Sequence, residues 1–304
     1  MTEFKHIVTK EDVEEKLRCS GLLRRHFRFS ARLRARIKKE KTAFLNGEPI
    51  NGKMVPRVGD ELLVVLPEEK SYFTPEPIPI YPVFEDDQLL VINKQPGIVV
   101  HPTHSRPRHT IAGGIAQYML DTGREFKIRF INRLDMDTSG LLVLAKSAYV
   151  QDDYVRQQQA GKVEKEYLAV VKGSPGPIGT KGTIDAPIGR PDPEHPRRSV
   201  MKDGRPCVTH YQVLEVFSRG ANDYALMKLI LETGRTHQIR VHLSHLGHPI
   251  VGDYLYGGEA VHLMDRQALH ARFLSFDHPI TKERLRLEAP LPDDMSHLMD
   301  LLRG

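Results

Sequence analysis

Pro67, Pro75, Pro77, Pro79 and Pro82, all within PEEKSYFTPEPIPIYPVFEDD, constrain the fold of this chain more than any other feature. Proline fixes φ, lacks an N–H and pushes the residue before it out of the helical region, so this spacing prevents a helix and favours an extended connection. The boundary falls near residue 75. It divides the 304 residues into a small unit, 1–70, a linker, 71–84, and a large unit, 85–304. A chain of this length buries a full core and still has room for an appendage.

The two units differ in pattern. Beyond the prolines come short apolar runs such as QLLVINK, LLVLAK, YLAVVKG, THYQVLEVF and ALMKLILET, with few long helical patterns between them. These predict an α+β unit with a mainly antiparallel sheet, rather than a doubly wound one. No Walker-type or dinucleotide glycine fingerprint, internal repeat or low-complexity tract is present. Cys19 and Cys207 stand far apart, in no spacing that suits a disulfide framework or a zinc site. The start, MTEFKHIVTKEDVEEKL, carries charges where a signal peptide needs an apolar core, and no apolar run approaches the roughly 20 residues of a membrane span. A cytoplasmic protein that does not enter a membrane is expected.

The formal charge of +5 lies wholly in the small unit. Residues 1–70 hold 16 Lys+Arg against 11 Asp+Glu, whereas residues 71–304 hold 28 of each. From Arg18 to Lys41 ten basic residues face one acid, Glu40. So compact a basic patch attracts polyanions, and phosphate backbones are the usual partner. Within it, ARLRARIKKEK alternates apolar and basic residues as a strand would, but its residues favour a helix, Ser30 suits the cap, and Leu33 and Ile37 stand four apart. A helix is therefore predicted. AFLNGEPING reads as strand, Asn-Gly turn and return, and GDELLVVL as a closing strand. This order, over residues 12–67, resembles the S-four-type RNA-binding domain. The resemblance places Arg24, Arg25, Arg32, Arg34, Arg36 and Lys38 against RNA.

One stretch of the large unit, RLDMDTSGLLVLAK at 133–146, offers several chemistries. As a calcium loop it places Asp135, Asp137, Ser139 and Gly140 at positions one, three, five and six, but the twelfth position, a bidentate Glu in such loops, is Lys146. LLVLA also favours a strand where an exit helix should start. Paired carboxylates stay open, although residues i and i+2 point apart in a turn. A structural turn is the default for such residues.

The rest of the chain resembles the RluA family of pseudouridine synthases, in the RluC/RluD-like branch that carries an S-four-type domain. The likeness runs through LLVINKQPGIVVHP (89–102), NRLDMDTSGLLVLAK (132–146), KEYLAVVKG (165–173), TGRTHQIRVHLSHLGHPIVGDYLYG (233–257) and LHA (269–271). Two departures are visible: Asn132 stands where the family has His, and Gln95 interrupts the usual NKPxG. The resemblance implies conversion of uridine to pseudouridine within RNA, without a cofactor. The bond between the uracil ring nitrogen and the sugar breaks, the base rotates, and it rejoins through carbon-5. An anionic carboxylate beside the anomeric carbon serves this, either by attacking the sugar or by removing a neighbouring sugar proton to give a glycal.

By the same resemblance Asp135 is the catalytic carboxylate, and Asp137 belongs to the turn. Tyr167 stacks on the base and assists at carbon-5, and Arg240 pairs with Asp135, since a nearby cation favours an ionised carboxylate. Arg133, Lys165, Arg235, His237 and Ile239 become substrate-binding candidates, on the same motifs. Gly234 and Thr236 open a predicted helix that ends at Gly247. His237, His242, His245 and His248 are spaced five, three and three, without the interval of four that a two-histidine helical metal site needs, so packing, backbone bonds or RNA contacts are expected of them. The family extrudes its target nucleotide, which costs a few kcal/mol. The basic helix and the loop GRPDPEHPRRSVMKDGR, with Arg197 and Arg198, are candidate suppliers of the offsetting contacts. Large-subunit ribosomal RNA is the expected substrate, with transfer RNA next, and a monomer is the family expectation. A non-catalytic assembly factor would have lost Asp135, Tyr167 or Arg240, and all three are present.

Overall fold

The computed structural model describes residues 2–51, 54–66, 69–103, 106–257 and 263–304; Pro67 of the proline run lies outside them. The basic N-terminal segment forms β1 (Glu3–Ile7), α1 (Lys10–Glu14), α2 (Cys19–Arg25), α3 (Ala31–Glu40), β2 (Ala43–Leu45), β3 (Glu48–Pro49) and β4 (Glu61–Val65). Its strands pair antiparallel in the order β1-β4-β2-β3. The Ser30 hydroxyl accepts the Leu33 N–H at 3.3 Å and starts α3, which buries Leu33 and Ile37 and turns its basic residues outward. Asn46 and Gly47 both have positive φ, +50° and +85°, as a two-residue hairpin turn of matching twist requires. Asp12, buried in α1, forms a capping box with Thr9 and also bonds His6 and His26, each at 2.7 Å.

The large unit follows as β5 (Pro82–Glu85), β6 (Leu89–Lys94), α4 (Ile111–Thr122), β7 (Arg129–Phe130), β8 (Ser139–Ala145), α5 (Ala148–Gln159), β9 (Glu164–Lys172), β10 (Lys181–Asp185), β11 (Ile188–Gly189), β12 (Ser199–Val200), β13 (Val208–Arg219), β14 (Asn222–Leu231), α6 (Gln238–His245), β15 (Leu269–Asp277), β16 (Arg284–Glu288) and α7 (Asp293–Arg303). A sheet of ten strands runs β10-β13-β14-β9-β15-β8-β6-β5, with β16 on β15 and β7 on β8. Pairing is antiparallel except between β8 and β15. The α+β class and its mainly antiparallel, mixed sheet are therefore those expected.

Both faces of the sheet centre are covered, and this explains why its strands read as unbroken apolar runs instead of alternating ones. Leu90, Ile92, Leu142 and Leu144 face the core built with α4, α6 and α7. Leu89, Val91, Leu141 and Val143 face the other way, into a core shared with the N-terminal segment. There the ring of Tyr149, from α5, meets Phe4 and Phe29 with centroids 4.6 and 5.7 Å away.

Residues 69–81 form neither helix nor strand, yet they lie against the large unit. Ile78 is buried in its core, and the Glu76 carboxylate accepts the His109 and Thr110 N–H groups at 2.9 and 3.0 Å beside the start of α4.

Candidate active site

Three neighbouring strands set the geometry. Gly140 of β8 lies opposite Ala271 of β15, which lies opposite Tyr167 of β9, so the turn that feeds β8 sits at the sheet's centre, near Tyr167. Gly140 has φ +111°, and a Cβ there would come within 2.2 Å of the Ala271 carbonyl oxygen. Only glycine fits this approach. The turn closes with the Thr138 N–H on the Asp135 carbonyl at 3.1 Å.

Side chains from afar pin that turn. Lys94, fully buried at the end of β6, donates to the carbonyls of Gln95, Met136 and Thr138 at 2.9, 2.7 and 2.9 Å. Burial pushes its pKa down to about 7, against the pull of Asp137 and Asp135. Arg266 donates to the Asp137 carbonyl at 2.9 Å and is itself gripped by Asp294 at 2.6 and 2.8 Å. Just after the turn, the Ser139 hydroxyl meets His270 Nδ1 at 3.0 Å. Asn132 Oδ1 accepts the Val143 N–H at 2.7 Å and its Nδ2 donates to the Leu141 carbonyl at 3.0 Å, which fastens the approach to the turn along β8.

Arg240 rises from α6 to meet this turn. Its Nε and Nη2 hold Asp253 at 2.7 and 2.8 Å, and its Nη1 reaches Asp135 Oδ2 at 3.2 Å. Burial opposes the guanidinium charge, but Asp253 and Asp135 outweigh it and hold the Arg240 pKa above the ordinary arginine value. The Tyr256 ring lies under the same guanidinium at 5.1 Å. Tyr167 is buried, and burial together with Asp135 raises its pKa above that of a free phenol.

A cleft of about 770 Å³ opens over these groups, lined by Arg133, Asp135, Lys165, Tyr167, His237 and Arg240 among others. A narrower recess that shares Asp135 and Tyr167 adds Arg235 and Ile239. The expected catalytic and substrate-binding residues thus meet at one place. Lys165 is buried there, and burial lowers its pKa. Of the expected RNA contacts, Arg24, Arg25, Arg32 and Lys38 are exposed, while Arg34 and Arg36 are half-buried. Arg25 pairs with Glu11 and Glu15, Arg34 bonds the Phe29 carbonyl, and Arg36 pairs with Glu40 and Glu69. Arg197 lies over the Tyr256 ring at 5.7 Å, and the Arg198 N–H donates to the Tyr256 hydroxyl at 2.9 Å.

The predicted helix starts later than expected, at Gln238, because His237 adopts a left-handed conformation before it. His242 is buried between Thr209 Oγ1 at 2.8 Å and the Ala186 carbonyl at 2.9 Å, and His248 Nδ1 faces the Lys172 carbonyl at 3.2 Å. Asp253, Lys94, Arg266, Tyr256 and His270 are the residues that sequence reasoning did not single out. Their signal is a polar or charged residue inside an apolar motif, as in HPIVGDYLYG and LLVINK.

One carboxylate, one buried arginine and one buried tyrosine thus converge in a single cleft, the kind of arrangement an enzyme's active site presents. A family profile for RNA pseudouridylate synthase matches residues 88–245. The chain is 44% identical, over 84% of its length and 88% of the relative's, to the uncharacterized RNA pseudouridine synthase YjbO of Bacillus subtilis. It is 38% identical to the ribosomal large subunit pseudouridine synthase D of Vibrio parahaemolyticus, over 85% of this chain and 82% of that one. Human RNA pseudouridylate synthase domain containing 1 superposes with a TM-score of 0.57 at 27% identity, covering 74% of this chain and 95% of that one. The chain belongs to the RluA family of RNA pseudouridine synthases, in the RluC/RluD-like branch, and is an isomerase acting on RNA.

Proposed function

We propose that this enzyme isomerises uridines of large-subunit ribosomal RNA, with Asp135 as the group that acts at the glycosidic bond. The observation that carries the reading is the Asp135–Arg240 contact, backed by buried Asp253 and set in the lining of the cleft. The volume falls within the range of about 300–1,000 Å³ typical of small-molecule pockets, enough for one extruded nucleotide. The Asp135 carboxylate either adds to the anomeric carbon or takes the adjacent sugar proton; both routes need an anion held beside that carbon. Tyr167 stacks on the base, and its raised pKa favours stacking as the phenol over service as a free base. Lys165, Arg133 and Arg235 meet phosphate or base oxygens, and Ile239 lines the recess beside the base.

Residues 1–70 are the S-four-type unit that carries RNA against the cleft, through Arg24, Arg32 and Lys38, and residues 71–84 are its connection to the catalytic unit, whose sheet they join at their end as the start of β5. The ribosomal substrate is favoured by relatives named for the large ribosomal subunit. A cytoplasmic monomer is the state proposed; among the described residues no helix is long and apolar enough to cross a membrane. The test is carbodiimide labelling and primer extension on RNA from cells that lack the protein. At least one uridine of large-subunit RNA loses its mark, and wild-type protein restores it. A full set of marks in the deleted strain contradicts the substrate assignment.

A further inference from the structure

His237 stands immediately before α6 with φ +58°, a conformation that strains a residue bearing a Cβ and persists only where surroundings impose it. Its two ring nitrogens meet different neighbours. Nδ1 lies 2.8 Å from the Tyr256 hydroxyl, which already accepts the Arg198 N–H at 2.9 Å. If Nδ1 carried the proton, the hydroxyl hydrogen of buried Tyr256 would have no acceptor among the described residues, an arrangement that buried polar groups avoid. Tyr256 therefore donates to Nδ1, and the neutral ring carries its proton on Nε2. That nitrogen faces Asp135 Oδ2 at 3.9 Å, beyond hydrogen-bond reach, and both residues line the cleft. Burial lowers the His237 pKa, against the pull of Asp135 and Asp253 and with the push of Arg240 and Arg198, so the neutral form prevails at neutral pH.

An N–H donor with no hydrogen-bond acceptor among the described residues, set beside the carboxylate that meets the sugar, awaits an acceptor on the base. When the C1′–N1 bond breaks, its electron pair goes to the uracil, and the negative charge spreads over the ring nitrogen and the carbonyl oxygens. Arg240 is committed to Asp253 and Asp135. We propose that His237 is a further catalytic residue, whose Nε2–H donates a hydrogen bond to a carbonyl oxygen of the departing uracil anion, and that Tyr256 is the positioning residue that fixes this tautomer. No proton is transferred to the base. The donor acts because charge on that oxygen is greater in the transition state than in the bound nucleotide. The inference rests on the isomerase acting through Asp135.

The test uses the full chain and unmodified large-subunit ribosomal RNA transcript labelled with tritium at uracil carbon-5, which is released on isomerisation. Tyr256→Phe keeps the ring against Arg240 and removes only the hydroxyl. It is expected to lower kcat about tenfold at alkaline pH with KM within about twofold. The deficit shrinks as pH falls and the imidazole protonates, because the imidazolium carries N–H at both nitrogens whatever Tyr256 does. His237→Gln, which keeps a donor, is expected to retain more activity than His237→Leu. A Tyr256→Phe deficit that is absent or constant across pH overturns the proposal, as does equal activity of the two His237 variants, and the His237 pair decides if Tyr256→Phe folds poorly. Wild-type protein that releases no tritium contradicts the isomerase reading itself, whereas active wild type with unaffected variants contradicts this inference alone.

Discussion

Arg240, which meets the Asp135 carboxylate, is itself held by a second aspartate. Asp253 takes two of the guanidinium nitrogens and leaves the third to point at Asp135. Asp253→Asn removes the charge that compensates a buried cation, a change that costs about 3–5 kcal/mol when one partner of such a pair is removed. The expected result is a lower melting temperature together with a fall in kcat larger than any rise in KM. Arg240→Lys supplies a single point charge that cannot serve both carboxylates, so kcat falls while RNA affinity stays within about twofold; a lysine variant with wild-type kcat contradicts the forked arrangement. At this scale the sequence motif displayed Asp135, Tyr167 and Arg240 but gave Asp253 no role. The reason is physical: its partner is on another element, and nothing in local spacing distinguishes a buried aspartate from one in a surface turn.

The turn at 135–138 and strands β8 and β15 act as one element. Gly140→Ala would drive a Cβ into the Ala271 backbone, at a φ that only glycine tolerates. Backbone cannot yield as a flexible side chain does, so destabilisation above about 2 kcal/mol is expected in chemical denaturation, with loss of activity. His270, buried on β15, takes the Ser139 hydroxyl on Nδ1 and gives its Nε2–H to the Ala289 carbonyl, so its neutral ring is the one that fits. Burial pushes its pKa down to about 4, below the ordinary histidine value. The unfolded chain therefore binds a proton that the native chain refuses, and stability present above pH 6.5 is lost as pH falls toward about 4. His270→Gln is expected to flatten that acid limb of the melting temperature; an unchanged limb assigns it elsewhere. α3 was legible because Ser30 caps it and Leu33 and Ile37 repeat at helical spacing. The late start of α6 was not, since nothing in GRTHQ announces a left-handed histidine.

For the whole molecule, the proline run marked the change of pattern but not the packing across it. Phe4, Phe29 and Tyr149 meet in one core although they are distant in sequence, and period-two alternation cannot say what covers the second face of a strand. The same limit applies to charge: the basic cluster was visible, but not that Arg25 and Arg36 face acids. Replacing exposed Arg24, Arg32 and Lys38 together with alanine is expected to weaken RNA binding and flatten its salt dependence by roughly 0.7–0.9 log units for each phosphate no longer neutralised. An unchanged slope places the RNA path elsewhere. The central claim, that Asp135 performs the chemistry, is tested most directly by tritium release from carbon-5-labelled ribosomal RNA with purified Asp135→Asn protein. Release slower than wild type by about 1,000-fold or more, with RNA affinity within a few-fold, is the predicted result. Release at more than about a tenth of the wild-type rate would contradict it.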